Sequence, residues 1–465
     1  MTRVHVVGAG LAGLAAAAAL AQAGRRVALY ESAEHAGGRC RSYFDSELGA
    51  RLDNGNHLLL SGNRSALAYL KMIGGLETFE PPKEAAIPFI DLTTGERWVL
   101  RPNRGVVPWW IGRSNRRVPG SRAGDYLAAL RLRNAGPDAT IAERLDSSAL
   151  LFRKLWQPVA VAALNTAAEE GSAWLLWRVL RETLGRGAAA CRPMVPREGL
   201  SESLINPALA MLRAGGAEIR FGCRLRAFDM VADRVGKLVF DGETIGIDEG
   251  DDVVLAVPAA IAARLVPGLV VPDDHAPIVN AHFRFAPPEA MPLFAGLIGG
   301  SAEWVFRKRG VISVTVSAAD RLVDLPSGEL SDLLWRDVAA AMRLPADSPP
   351  PSRIVKERRA TFRATPAQLR RRPPTLTRWN NLLLAGDYVD TGLPATIEGA
   401  IRSGFAAAEA IMKRRGAHHL TQLESDEGAE HSDGGGPDAG RKAPAVSRAR
   451  HRGDARDKVA AVAAA

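Results

Sequence analysis

Cysteine is scarce in this 465-residue chain: there are three, Cys40, Cys191 and Cys223, and no two of them form a CxxC pair. A disulfide-stapled scaffold and a cysteine-based zinc site are therefore excluded, and no metal site is predicted. Long apolar runs are also missing, since no stretch reaches the roughly 18 uninterrupted apolar residues that would indicate a membrane-spanning helix. No nucleic-acid recognition module is present, so the formal charge of +9 is not taken as a sign of nucleic-acid binding.

The rest of the composition is that of an ordinary folded protein, with 47% hydrophobic and 24% charged residues. Residues 1–24 have the arginine and small apolar residues of a signal peptide, but the glycines within them and the strand pattern that follows favour a folded segment. We therefore expect a cytoplasmic chain. Residues 416–465 have few large apolar side chains, and this composition predicts a disordered tail.

The amino-terminal segment predicts a strand–helix–strand unit. Val4–Val7 has the pattern of a buried strand, Leu11–Ala23 is alanine-rich and strongly helical, and Arg26–Tyr30 has the pattern of a second strand. Such a unit with a glycine-rich turn between strand and helix is typical of a dinucleotide-binding fold.

The turn carries the spacing Gly8-x-Gly10-x-x-Gly13. The first glycine allows the tight turn, the second lets the backbone approach a pyrophosphate, and the third lets helix and strand pack closely. Glu31 follows the second strand, 21 residues after Gly10 in the sequence, where it can accept hydrogen bonds from ribose hydroxyl groups. Leu11 and Ala12, at the start of the helix, are predicted to contact the same cofactor.

Two further motifs follow in the first 60 residues. Gly37-Gly38-Arg39 predicts a second approach of backbone and guanidinium to a pyrophosphate or flavin, which favours FAD over NAD. Asp53-Asn54-Gly55-Asn56-His57 predicts a turn that faces a cofactor ring, with Asn54 and Gly55 as cofactor contacts. His57 is open to either a structural or a catalytic role.

A fourth motif lies near the other end of the folded chain. A strand pattern at Asn381–Ala385 ends in Gly386-Asp387, whose carboxylate can accept a hydroxyl hydrogen bond, and a helix begins near Thr396 and Ile397. The positive end of that helix suits the electron-rich edge of a flavin. These residues and Leu225 complete the predicted cofactor set. The two ends of the chain are thus expected to form one FAD site.

The four motifs together resemble the FAD-dependent amine oxidase and carotenoid desaturase superfamily over residues 1–415. Narrower strings resemble its squalene-associated FAD-dependent desaturase group: Leu155-Trp156-Gln157-Pro158, Ala163-Leu164-Asn165-Thr166, Pro196-Arg197-Glu198-Gly199 and Asp390-Thr391-Gly392-Leu393. Members of that group usually have Gln where this chain has Asn56.

The resemblance implies an α/β fold, with a discontinuous Rossmann-like FAD-binding domain and an inserted α+β substrate domain. The domain boundaries predicted from motif order are residues 1–70, 190–260 and 370–415 for the FAD domain, and 71–189 and 261–369 for the substrate domain. Within these, residues 60–190 have a helical pattern, and helices are also expected at 207–213, 328–343 and 398–413.

The resemblance also implies the reaction: reductive removal of the hydroxyl of hydroxysqualene, a C30 isoprenoid of hopanoid biosynthesis, with reduced FAD as hydride source. An acid must protonate the leaving hydroxyl. His57 and Asp53 are the predicted catalytic residues, with Asp390 and Glu169 as further candidates, and Asp53 is equally suited to be a structural turn residue. Alternatives left open are a desaturase acting on a carotenoid-type polyene and a non-catalytic FAD-binding scaffold.

Such an apolar substrate resides in membranes, and one segment has the composition for a membrane surface. Trp109, Trp110 and Ile111 lie between arginines at 101, 104, 113, 116 and 117. Aromatic rings flanked by arginines suit peripheral docking on an anionic bilayer, although core aromatics beside a solvated basic face would give the same pattern. Other enzymes of the squalene pathway are further candidate partners.

Overall fold

The structure is a computed structural model that describes residues 2–80 and 84–429. Its strands are β1 (Arg3–Val7), β2 (Arg26–Tyr30), β3 (Ser42–Asp45), β4 (Ala50–Asp53), β5 (Leu59–Leu60), β6 (Ile87–Asp91), β7 (Arg97–Leu100), β8 (Pro193–Met194), β9 (Glu218–Arg220), β10 (Leu225–Val231), β11 (Arg234–Phe240), β12 (Glu243–Gly246), β13 (Asp252–Leu255), β14 (His275–Phe283), β15 (Phe294–Ile298), β16 (Trp304–Lys308), β17 (Val311–Val316), β18 (Ser352–Phe362) and β19 (Leu382–Leu384).

Its α-helices are α1 (Leu11–Gln22), α2 (Arg64–Ile73), α3 (Ile141–Arg144), α4 (Gln157–Leu164), α5 (Ala173–Glu182), α6 (Asn206–Ala214), α7 (Ala259–Leu265), α8 (Ser327–Met342), α9 (Pro366–Leu369) and α10 (Ile397–Ala429). Tighter or wider helical turns lie at Leu76–Thr78, Trp109–Gly112, Ser114–Arg116, Ala123–Leu132, Phe152–Trp156, Leu184–Ala190, Ser201–Ile205 and Ala319–Arg321. None of the helices in the described ranges has the length and hydropathy needed to cross a bilayer.

A five-stranded parallel sheet gathers the motif-bearing segments. Its order is β19-β13-β1-β2-β9, so strands from both ends of the folded chain lie in one sheet. Helix α1 connects the parallel neighbours β1 and β2, as in Rossmann-like folds, and the predicted α/β fold is confirmed. The carboxyl ends of β1, β2 and β19 therefore lie along the same edge of the sheet.

Helix α1 is buried behind this sheet. Its sequence is small and apolar on every face, and nine of its twelve residues are buried, which is typical of a helix enclosed between layers. It contacts β1, β2 and β13 on one side and α2 and α6 on others. The enclosure fixes the direction in which the amino-terminal end of α1 points.

A seven-stranded mixed sheet, with order β18-β14-β17-β16-β15-β6-β7, forms the second layer system. One face carries apolar residues such as Val279, Ile312 and Val314, which form a core with Leu334 and Trp335 of α8. Because side chains alternate along a strand, the residues between them point to the opposite face. That face carries the polar side chains described below.

Three elements differ from the sequence prediction. Residues 60–190 are not uniformly helical: β6 and β7 lie within them, because they pair with each other and β6 pairs with β15 from a distant part of the chain. The last helix was predicted to end at 413 but α10 continues to Ala429, in a stretch rich in helix-forming residues. The predicted disordered tail begins at residue 416, and this prediction is wrong for residues 416–429, which are helical as the end of α10. Residues 430–465 lie outside the described residues. The domain boundaries stay a prediction.

Candidate active site

The glycine-rich turn between β1 and α1 is open towards the space in front of the helix. Gly8 has φ +107°, and a Cβ placed on it would lie 2.4 Å from the carbonyl oxygen of Ala256, so only glycine fits there. A Cβ on Gly10 would meet no atom within 4 Å. Gly10 is the N-cap of α1 without any side-chain cap, and the first turn holds no acidic residue. The free N–H groups of α1, which begins at Leu11 and Ala12, can therefore bind an anion.

The second motif lies directly beside this turn. Gly10 and Gly37 form an isolated parallel bridge, and the Gly37 amide donates to the carbonyl of Ala9 at 2.8 Å. A Cβ on Gly38 would lie 3.6 Å from Cα of Gly10. Glu31 accepts hydrogen bonds from the amides of Ala9 (2.8 Å) and Ala33 (2.9 Å), so its carboxylate is held at the edge of the same turn.

Arg39 connects the amino-terminal motifs to the distant fourth motif. Its Nη2 lies 2.8 Å from Oδ1 of Asp387, and its Nη1 donates to the carbonyl of Ala360 at 2.6 Å. The Asp387 carboxylate raises the pKa of Arg39 above its ordinary value. Asn54 donates from Nδ2 to the carbonyl of Arg39 at 3.4 Å. The second, third and fourth motifs thus meet at Arg39: Asp387 pairs with its guanidinium group and Asn54 contacts its main-chain carbonyl.

The carboxy-terminal motif is fixed by packing of α10 on α1. A Cβ on Gly404 would lie 2.2 Å from the carbonyl oxygen of Ala12, so the two helices touch where α10 has no side chain. The Gly386 amide donates to Oγ of Ser403 at 2.8 Å. The hydroxyl of Thr396 accepts from the Gly399 amide at 3.0 Å, as an N-cap does, just before α10 begins at Ile397.

A polar network ties the third motif to the seven-stranded sheet. Asn56 Nδ2 donates to Oγ1 of Thr315 at 3.0 Å, and Thr315 donates in turn to Oδ1 of Asn280 at 2.7 Å. Asn280 closes the network by donating to the carbonyl of Asn54 at 3.4 Å. Oδ1 of Asn56 is buried without a hydrogen-bond partner among the described residues. Gly55 lies within this turn, where a Cβ would contact Nδ2 of Asn280 at 3.5 Å.

Asp53 forms a buried ion pair with Lys308. The Asp53 side chain is 4% exposed and that of Lys308 19%. Asp53 Oδ1 also accepts from the hydroxyl of Ser42 at 2.6 Å and the amide of Leu200 at 2.9 Å. Burial alone would raise the pKa of Asp53, but the Lys308 ammonium and these hydrogen bonds outweigh it and lower the pKa. Asp53 is therefore an anion at neutral pH and a poor proton donor.

Two histidines lie near this ion pair. Burial lowers the pKa of His57 to about 4, with Lys308 and Arg39 acting in the same direction and Asp53 opposing them. Burial likewise lowers the pKa of His282 to about 4, and its Nδ1 lies 2.7 Å from Oγ of Ser313. Both rings are therefore neutral at pH 7. Among the described residues no protein group hydrogen bonds to the His57 ring, so its nitrogens are available to a ligand.

The predicted residues do not all meet. Leu225 lies in β10, two residues after Cys223, whose amide donates to the carbonyl of Glu31 at 2.8 Å, and its contact with the cofactor stays a prediction. Asp390 is 58% exposed, and Glu169 is exposed as well. Nothing in the structure brings these last two carboxylates to His57.

Comparisons with known proteins show the family of the chain. Residues 11–412 match the family model described as flavin-containing amine oxidoreductase. The chain belongs to this family. A hydroxysqualene dehydroxylase of Rhodopseudomonas palustris is 49% identical over 412 residues, which are 88% of this chain and 98% of that protein. A probable zeta-carotene desaturase of Synechococcus elongatus is 23% identical over 88% of this chain and 98% of that protein.

A solved structure shows the same fold at low identity. A putrescine oxidase variant superposes with a TM-score of 0.66 at 17% identity, over 89% of this chain and 99% of that one. The family is flavin-containing, and this amine oxidoreductase is an FAD enzyme. The residues present fit that cofactor: the uncapped amino-terminal end of α1 and the open face of Gly10 suit its phosphates. Glu31, Gly38, Arg39 and Asp387 would hold the remaining polar groups.

Several polar residues of this oxidoreductase were not predicted from sequence: Lys308, Asn280, His282, Ser313 and Thr315. For the four residues other than Lys308 a signal exists in the sequence, because they alternate with apolar residues along β14 and β17. Polar residues at every second position of a buried strand indicate a polar face inside the protein. Lys308, at the end of β16, has no comparable signal.

Proposed function

We propose that this oxidoreductase removes the hydroxyl group of hydroxysqualene reductively and releases squalene. The observation that carries the proposal is the 49% identity to a hydroxysqualene dehydroxylase, which spans 98% of that protein. The network of polar residues around His57 supports it, because a single hydroxyl on a hydrocarbon needs only a few polar contacts.

The reaction replaces a hydroxyl by a hydrogen, so the substrate must gain a hydride and the leaving hydroxyl a proton, which gives water. FAD in its reduced form supplies the hydride when bound. Because hydroxide is a poor leaving group, a proton at the hydroxyl oxygen is the part that the chain's own residues must provide. General acids of this kind contribute about 10²–10⁴-fold.

His57 is proposed as the residue that contacts the hydroxyl, and Asp53 as a residue that positions the turn. The His57 ring has no hydrogen-bond partner among the described residues, whereas the Asp53 carboxylate is fully engaged by Ser42, Leu200 and Lys308. Since burial lowers the pKa of His57 to about 4, the protonated fraction of its ring grows about tenfold for each unit by which pH falls from 7 towards 5.

The hydrocarbon part of the substrate is proposed to lie against an aromatic wall on the same face of the seven-stranded sheet as Thr315. Trp304 pairs with Thr315 across the strands, and its ring is 5.7 Å from that of Phe89 and 6.3 Å from that of Phe294. Phe306 continues the wall, 6.3 Å from Phe294 between ring centroids. Such a surface suits an apolar chain with one polar end.

The test is product analysis after anaerobic incubation of the purified chain with chemically reduced FAD and hydroxysqualene. Squalene formed in proportion to flavin oxidised is the expected result. His57→Gln is expected to lower the single-turnover rate about 100-fold or more with FAD affinity unchanged. Two outcomes would refute the proposal. Oxidised flavin that is reduced by a carotenoid-type polyene would show a desaturase, and bound flavin without turnover of either compound would show a scaffold.

Peripheral docking on the cytoplasmic face of an anionic membrane is proposed as well. Val106 (70% exposed), Val107 (69%) and Trp109 (49%) present apolar surface, while Trp110 is only 6% exposed and packs on Tyr126. Of the two tryptophans predicted to meet the membrane, only Trp109 is thus exposed. The guanidinium groups of Arg113 and Arg116 lie 5.0 and 5.3 Å from its ring centroid.

The corresponding test is sedimentation with phosphatidylglycerol vesicles at low salt. Trp109→Ser is expected to weaken binding. Trp174→Ser is the matched control, because Trp174 is also a partly exposed ring that an arginine, Arg178, covers at 5.5 Å. Equal binding of wild type to neutral and anionic vesicles, or equal loss in both variants, would contradict docking through this surface.

A further inference from the structure

Arg372 has an unusual position for an arginine: its side chain is 1% exposed and its partners are main-chain carbonyl groups. Nη1 donates to the carbonyl of Leu393 at 2.7 Å, Nε to that of Tyr388 at 3.3 Å, and Nη2 to that of Asp387 at 3.3 Å and to that of Val389. Four carbonyls from one loop therefore converge on one guanidinium group.

Burying this charge costs desolvation free energy, and merely filling space in the core would not require that cost. Burial lowers the pKa of Arg372 to about 10, so the group is still protonated at neutral pH. The nearest carboxylate, on Asp390, is 3.9 Å away and 58% exposed, and the ring of Phe362 covers the guanidinium at 5.1 Å. An apolar side chain would fill the same space without desolvating a charge. What only arginine offers is a rigid fork with five donors.

The loop that Arg372 gathers joins β19 to α10. It begins at Gly386, includes Asp387, whose carboxylate pairs with Arg39 at 2.8 Å, and ends at Leu393, shortly before Thr396 caps α10. The amide of Asp390 also donates to the carbonyl of Pro373 at 2.9 Å, which places the loop along the segment that carries Arg372. With the carbonyls turned inward to the guanidinium, the Asp387 carboxylate is left facing the amino-terminal motifs.

We propose that Arg372 is the positioning residue of the carboxy-terminal half of the FAD site. Its guanidinium fixes residues 386–393 in the conformation in which Asp387 and the start of α10 meet the cofactor. The inference rests on the proposed assignment of Asp387 to that site. When a loop is ordered before the ligand arrives, binding does not have to provide the free energy of ordering it. Without Arg372, FAD binding would have to provide that free energy. Removal of Arg372 therefore weakens FAD binding more than it weakens the fold.

The experiment is titration of the deflavinated full-length chain with FAD, with melting temperatures measured with and without the cofactor. Arg372→Met is expected to raise the FAD Kd about 100-fold, since several charge-assisted hydrogen bonds are lost. Arg372→Lys keeps the charge but not the fork, and is expected to raise the Kd about tenfold or more. Arg363→Met is the control, because Arg363 is also largely buried but pairs with Asp320 at 2.8 Å.

A double-mutant cycle separates positioning from general destabilisation. If Arg372 acts through Asp387, then Asp387→Asn weakens FAD binding in the wild type but adds little in the Arg372→Met background. Additive effects of the two changes on the FAD Kd would overturn the inference. An Arg372→Met chain that melts earlier yet binds FAD within about threefold of the wild type would overturn it as well. If the Arg372→Met variant does not fold, the Arg372→Lys titration is judged by the same threefold limit. A wild type that does not bind FAD would instead contradict the FAD site itself.

Discussion

The buried ion pair of Asp53 and Lys308 predicts how much stability the protein loses when one of its two charges is removed. Asp53→Asn keeps acceptors for Ser42 and Leu200 but leaves the Lys308 ammonium without its partner. Removing one member of a buried pair costs about 3–5 kcal/mol, and because Lys308 still reaches solvent we expect the lower end, about 3 kcal/mol. With an unfolding entropy of about 2.1 cal/mol/K per residue, a chain of this length would melt about 3 °C earlier.

The double variant Asp53→Asn, Lys308→Met shows whether the uncompensated charge is the cause. It removes both charges from the buried site, so most of the lost stability is expected to return, to within about 1 kcal/mol of the wild type. The assay is thermal unfolding of the FAD-loaded proteins at pH 7, followed by tryptophan fluorescence. The expected results are a melting temperature about 3 °C lower in the single variant and strong coupling between the two changes. A decrease below 1 °C in the single variant would refute the reasoning. So would a double variant whose melting temperature falls by the sum of both single effects.

Two further predictions concern packing and pH. Gly404→Val places a side chain against the carbonyl of Ala12, where a Cβ alone would be 2.2 Å away. It is expected to destabilise the fold by about 3 kcal/mol and to lower FAD affinity. Gly328→Ala, where a Cβ meets no atom within 4 Å, is the neutral control in the same unfolding assay. Because burial lowers the pKa of His282 to about 4 while the unfolded value is about 6.5, stability is complete above pH 6.5 and falls as pH drops towards 4, by up to about 1.4 kcal/mol per pH unit. His282→Gln is expected to flatten that fall in denaturant titrations at pH 7 and pH 5, and an unchanged slope would contradict it.

The parts of the site that could be predicted from the sequence are those formed by a short run of residues whose spacing has one physical explanation. The glycine spacing of Gly8, Gly10 and Gly13 between a strand and a helix fits only a turn that approaches a ligand, and the structure has that turn. All three glycines lie within six consecutive residues, so the pattern can be recognised without knowledge of the fold.

The partners supplied by distant strands could not be predicted. Lys308 pairs with a residue 255 positions away, and its register depends on how β16 and β17 join the sheet. For the same reason the two candidate catalytic residues could not be distinguished from sequence. Only the surroundings in the fold show that Asp53 is held as an anion, while the ring of His57 has no hydrogen-bond partner in the part of the chain that the structure describes.

The central claim is that two distant parts of the chain form one FAD site, and a binding titration tests it most directly. The purified chain should bind one FAD, and Gly10→Val at one end and Asp387→Asn at the other should each weaken that same binding event. Asp324→Asn, a change to a side chain that is 76% exposed and pairs with Arg358, should leave it unchanged. A chain that binds no FAD, or one whose affinity is unaffected by the changes at both ends, would contradict the account.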